Sequence, residues 1–206
     1  MKNQRTLARV TVALGLTLAC GGVRTVSRDG YRAQLVFGGK EKYAIAVRGE
    51  KKRVEGDFDG SQLVKIVRPD LKKVWQFRPS TRKLLEEPWQ PTDEIVPGYP
   101  LDPAFDPQAY ASRFRATVQR IDDAVAGIHP CERYLFALPS GDRVTVWVAR
   151  DLERLAVKVE HEKKKDEDLA PFKVVELLDI RIGADPDLFE KPKGYTVVKS
   201  YSDLGK

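Results

Sequence analysis

Residues 31–86 repeat one short unit: apolar side chains at alternate positions for five to eight residues, then a brief connection rich in Gly, Pro, Asp and Ser. Period-two alternation is the signature of a half-buried strand, and connections this short can join only antiparallel neighbours. Segments 31–37 and 42–48, separated by Gly38-Gly39-Lys40, read as a hairpin. Segments 52–57, 63–67, 73–77 and 82–86 follow between Gly and Pro turns and extend it to a six-stranded meander. Both faces carry apolar residues, since Leu63 and Val67 oppose Val64 and Ile66, while Trp75 and Phe77 oppose Val74. Such a sheet is covered on one side and curves around something on the other.

Residues 88–112 break the rhythm with six of the 13 prolines, interleaved with Trp89, Ile95, Tyr99 and Phe105. An irregular stretch this long inside a domain is either a strap over a groove or a passive crossover between half-sheets. Asp106-Pro107 has the form of an N-cap followed by a first-turn proline, and predicts a short helix toward Arg113. Strand patterning resumes at 114–118, with a turn expected around Asp122-Asp123, then at 131–138, 143–149, 155–160 and 174–182. The charged run at 160–168, EHEKKKDED, reads as a solvated hairpin tip, with electrostatic docking as the alternative.

The amino terminus carries a different signal. Residues 2–9 are basic and free of acid, and residues 10–19 (VTVALGLTLA) form an apolar run shorter than the ~20 residues of a membrane-spanning helix. This is the pattern of an export signal. It ends in Leu16-Thr17-Leu18-Ala19-Cys20-Gly21-Gly22, which resembles the lipobox of bacterial lipoproteins and implies cleavage before Cys20, acylation of its thiol and a membrane anchor. Ordinary signal cleavage after Ala19 and retention in the cytosol are the alternatives. Gly21 after the cysteine, by the same resemblance, implies outer-membrane sorting with the domain facing the periplasm.

Loss of residues 1–19 lowers the basic count from 36 to 33 against 30 acidic residues, so a formal +6 becomes +3. These charges are interleaved along the chain, which argues against nucleic acid as a partner. Cys131 then stands alone, excluding an internal disulfide. With His129 and His161 it makes too few ligands for a zinc site, so no metal or cofactor is expected. Glu86-Glu87 and Asp122-Asp123 are adjacent pairs whose members point to opposite faces of a strand, unsuited to joint acid–base work. No nucleophile elbow or phosphate loop is present, and an enzyme is not expected.

Four segments carry a family resemblance: Tyr43 to Glu55; Ile66 to Pro79, with its Arg68-Pro69-Asp70 and Lys73-Val74-Trp75; Gly127 to Tyr134; and Phe189 to Tyr195. Together they resemble a family of bacterial exported proteins with the LolA/LolB lipoprotein-carrier type of fold. The resemblance spans roughly residues 31–198. It implies a mainly β protein: an open, curved antiparallel half-barrel of about eleven strands, with a proline-rich strap and at most one or two short helices. The expected organisation is a signal peptide at 1–19, a lipidated tether at 20–29 and one domain at 30–200. Its concave face is expected to hold an acyl chain or a partner segment. Trp75, Trp89, Phe105 and Trp147 are the candidates to line that face, with core packing as their alternative role. A structural envelope protein acting through sheet-edge contacts, without a cavity, is the competing expectation.

Overall fold

The computed structural model describes residues 25–92, 95–96, 98–165 and 168–205, so the expected signal peptide and Cys20 lie outside the described residues. Twelve strands form one open sheet, in the order β12-β6-β5-β4-β3-β2-β1-β11-β10-β9-β8-β7. The six-stranded meander is present as expected: β1 (Tyr31–Phe37), β2 (Glu41–Arg48), β3 (Lys51–Phe58), β4 (Ser61–Arg68), β5 (Lys73–Arg78) and β6 (Lys83–Pro88). Its first turn needs left-handed backbone at two successive positions, which Gly38 and Gly39 supply at φ +55° and +71°.

The second meander comprises β7 (Thr117–Ala126), β8 (His129–Ala137), β9 (Arg143–Ala149), β10 (Leu155–Lys165) and β11 (Asp168–Ile182). Pairing of β1 with β11 joins the two meanders. The twelfth strand, β12 (Thr196–Val198), runs parallel to β6 and was not expected from the sequence. Its Val197 is exposed and its three residues are too few to show a period.

Several local expectations are corrected. Phe114 belongs to a helix, α2 (Pro107–Phe114), rather than to a strand. The Asp106 carboxylate caps α2 by accepting from the amides of Gln108 and Ala109 at 2.8 and 3.2 Å, and Arg115 ends it in the left-handed region. Asp122-Asp123 form no turn: β7 runs through them with a bulge, because Arg133 pairs with Asp122 while Arg120 and Arg150 pair with Asp123. Residues 26–29, expected within a tether, form a helical turn, α1 (Val26–Asp29), whose Val26 is buried in the core. The first three residues of the charged run, 160–162, still pair with β9, and residues 163–165 continue β10 as a ribbon paired with β11 alone.

Two irregular segments cover the two faces. The strap lays Val96, Tyr99, Leu101 and Phe105 against one face, where Leu35, Ile45, Val54, Val146, Val159 and Leu177 meet them. Buried hydroxyls hold it: Tyr31 donates to the Leu101 carbonyl at 2.7 Å, and Tyr99 to the Ala156 carbonyl at 3.0 Å. On the opposite face a tail beginning at Gly183 packs Ala184, Leu188 and Phe189 over Ala46, Val64, Ile66, Trp75, Phe77 and Leu84. Arginines on three successive strands donate to its carbonyls: Arg48 to Ala184 at 2.9 Å, Arg53 to Leu188 at 3.3 Å and Arg68 to Phe189 at 2.9 Å. The tail then passes along the edge of β6 as β12 and buries Leu204 against Leu63 and Leu85.

Candidate functional site

The strap fills the middle of its face but leaves apolar openings on either side at one end of the sheet, near the β1–β2 and β10–β11 turns. The first has a volume of about 510 Å³ and lies among Leu35, Phe37, Tyr43, Val54, Phe58 and the strap residues Ile95 and Val96. The second, about 270 Å³, lies beyond Gly98 among Tyr110, Phe114, Phe136, Val144 and Phe172.

Three aromatic rings form the mouth of the larger opening. Phe37 meets Tyr43 edge-on with centroids 5.5 Å apart, and Tyr43 lies 5.1 Å from Phe58. Tyr43 can lie across β3 only because residue 56 is glycine: a Cβ there would stand 2.3 Å from the Tyr43 ring. Lys173 places its ammonium 4.8 Å above the Phe37 ring, and Lys163 sits 5.6 Å above Phe172 at the second mouth. Each rim therefore joins apolar surface to a cation. Glu41 also lines the larger mouth, so its charge is mixed. At the smaller opening, burial and then Lys173 lower the pKa of His161, with Asp142 opposing them.

A third cavity, about 720 Å³, occupies the other end of the strap, among Trp89, Tyr99, Leu101, Lys52 and Arg113. A Lys52–Asp102 ion pair at 2.8 Å spans it from sheet to strap. At the same end, Arg154 donates to the Phe105 carbonyl and to Glu132.

The four aromatic residues singled out in the sequence are not gathered in one place. Trp75 is on the tail face, buried, with its indole N–H donated to Glu86 at 3.0 Å. Trp147 is on that same side of the sheet, because it pairs with Lys158 and Arg133, both cations over its ring at 4.8 and 5.6 Å. Trp89 is half-buried at the third cavity, and Phe105 is buried against Phe136 and Tyr110. None of the four lines the two apolar openings. Of the aromatics that do, Tyr110 and Phe114 come from α2, while Phe37, Tyr43, Phe58, Phe136 and Phe172 lie on strands within a few residues of the turns at one end of the sheet. Their one sequence signal is this recurrence of an aromatic near a turn at the same end of successive hairpins.

Cys131 is buried and donates its thiol to the His129 carbonyl at 3.3 Å; burial raises its pKa. His129 Nδ1 lies 2.9 Å from the Asp151 carboxylate. A protonated thiol under a strand is not poised for nucleophilic attack.

No family model matches the chain, and no curated protein matches it by sequence. Solved structures do match it in fold. An uncharacterised conserved protein from Thermus thermophilus superposes with a TM-score of 0.52 at 11% identity, over 82% of this chain and 90% of that one. MucB superposes with a TM-score of 0.55 at 13% identity, over 82% of this chain and 59% of the MucB chain. MucB from the Pseudomonas aeruginosa MucA/MucB complex gives 0.50 at 12% identity, over 82% and 57%. The chain therefore spans less than three fifths of the MucB chains. At these identities the likeness is one of fold, and that fold is the open, curved half-barrel of the LolA-like type.

Proposed function

We propose that this is a non-enzymatic cell-envelope protein, anchored through an acylated Cys20 and facing the periplasm, that holds an acyl chain between strap and sheet. The observation that carries this reading is the 510 Å³ opening, which is apolar along its depth and aromatic at its mouth. Its volume lies within the roughly 300–1,000 Å³ of small-molecule sites. An acyl chain needs apolar walls and no hydrogen-bond partner along its length, and Leu35, Val54, Ile95 and Val96 provide such walls.

Displacement of a fluorescent fatty acid tests this reading, together with mass spectrometry of lipids that copurify with the protein. Val54→Trp, which narrows the opening, is expected to weaken uptake about tenfold or more, while Trp147→Phe, on the other side of the sheet, leaves it unchanged. Equal uptake by all three proteins, or none by the wild type, overturns the assignment. For the anchor, Cys20→Ser is expected to abolish palmitate labelling and release the protein from membranes.

A second reading has its own support. Strand β7 is a sheet edge with Ile121 and Val125 exposed along it and Ile128 exposed in the turn that follows, and MucB has been solved in complex with MucA. An extended partner segment added to this edge is the protein-binding alternative. It predicts that Val125→Lys blocks capture of a partner without changing fatty-acid uptake.

A further inference from the structure

Arginines form a row across the tail face. In register, Arg181 of β11 is paired with Arg32 of β1, Arg32 with Ala46 of β2, and Ala46 with Arg53 of β3. Arg53 directs its donors to the Leu188 carbonyl and Glu55, just as Arg48 and Arg68 are occupied by the tail. The tail leaves the end of β11 and bonds Asp29 and Gly30 just ahead of β1, but it offers no acceptor to Arg32 or Arg181. Arg32 and Arg181 are exposed, and among the described residues neither has an ion pair or a side-chain hydrogen bond. Two guanidiniums directly opposite each other on adjacent strands repel, and a sheet retains such a pair at a cost in stability. Beside them lies a groove of about 300 Å³, floored by Ala44 and Ala46 and bounded by Arg53 and Leu188.

We infer that this groove binds a phosphate group. The two free forks offer ten N–H donors, more than a carboxylate's two oxygens can use, since one carboxylate satisfies a single fork. A phosphate presents additional oxygens to both forks and relieves the repulsion between them. Small side chains at positions 44 and 46 leave room for it against the sheet. Glu55 is already held by Arg53 and Gln62, whereas Asp179 lines the groove as an opposing carboxylate. The phosphate comes either from a soluble phosphate or from a phospholipid head group. The site is on the opposite side of the sheet from the acyl opening and does not depend on that reading.

The test follows the side-chain Nε–H resonances of Arg32 and Arg181 in the full chain, titrated with inorganic phosphate and, separately, with dihexanoyl phosphatidylglycerol. Saturable shifts are expected with at least one of them. The double variant Arg32→Gln/Arg181→Gln is expected to weaken binding about tenfold or more, read on backbone amides of residues 44–46. Asp179→Asn, which removes the opposing charge, is expected to tighten it several-fold. Arg143→Gln/Lys199→Gln removes the same charge at residues outside the groove and should leave binding unchanged. Saturation by phosphate alone assigns a soluble ligand, and saturation by the lipid alone assigns a head group; either supports the site. Equal weakening in both double variants, or no saturable shift with either probe, overturns it.

Discussion

The strap and the tail are both irregular segments laid across one curved sheet, yet they are held by different chemistry. The tail is stitched down by guanidiniums that donate to its carbonyls, with Arg68 also bonded to Glu190 and Asp70, and Phe189 fully buried beneath it. The middle of the strap is held by two tyrosine hydroxyls and its own apolar residues, with open volume on either side, and its charged contacts, Lys52 with Asp102 and Arg154 with the Phe105 carbonyl, are confined to one end. A buried charged donor left without its acceptor is far more costly than a neutral one, so the tail is the less easily opened cover. The stretch of strap around Ile95, Val96 and Tyr99, with a neutral tether and room beside it, is the part of either cover that is less costly to displace.

The two buried phenylalanines put this contrast under the greatest load. Phe189→Ala and Phe105→Ala each remove a buried ring and are expected to lower stability by about 3–5 kcal/mol in denaturant unfolding. A loss below about 1 kcal/mol for Phe105→Ala would show the strap to be a detachable lid. Next, Arg68→Met removes the charged stitch and leaves the Phe189 carbonyl unpaired, an expected cost of about 2–3 kcal/mol, with faster hydrogen exchange in residues 184–190 and none in the strap. Tyr99→Phe loses one neutral buried bond, about 0.5–1.5 kcal/mol. Its exchange signature should be confined to residues 95–105; spread into the tail would mean that the two covers are coupled.

The smallest effect is electrostatic. Bonds from Lys191, Lys73 and Trp75 hold the Glu86 carboxyl at a pKa of about 2, below its ordinary value of 4.5. Because the folded-state pKa is depressed, this stabilisation is complete above pH 4.5 and is lost as pH falls toward 2. Glu86→Gln is expected to flatten that part of the stability–pH curve, by less than about 1 kcal/mol for partners this exposed. A curve unchanged by the substitution would remove Glu86 from the account of how the tail end at Lys191 is held.

Strand positions in the first meander were legible because turn chemistry and alternation are local. The cap of α2 was legible for the same reason, since Asp106 and Pro107 act within one helical turn. The bulge at Asp122-Asp123 was not: two acids in a row look like a turn until Arg133 on β8 and Arg150 just past β9 are brought to them beside Arg120 of the same strand. Arg53, Arg48 and Arg68 likewise read as ordinary surface charges, because the carbonyls they serve lie more than 100 residues away.

Local pattern in the chain was enough to specify an antiparallel sheet with apolar residues on both faces, an interrupting proline-rich segment and one helix start. Which face each aromatic joined was settled by long-range pairing. Alternation states that Trp147 and Val146 point apart, but it does not say which of them meets the strap when both faces are covered. Parity also fails to carry across the sheet, since the bulges between Arg32 and Gln34 and between Ala156 and Lys158 each shift the register by a residue. Trp75 and Trp147 were therefore sent to the tail side by pairings that no local pattern encodes, and the acyl-sized opening was left to rings at the strand ends.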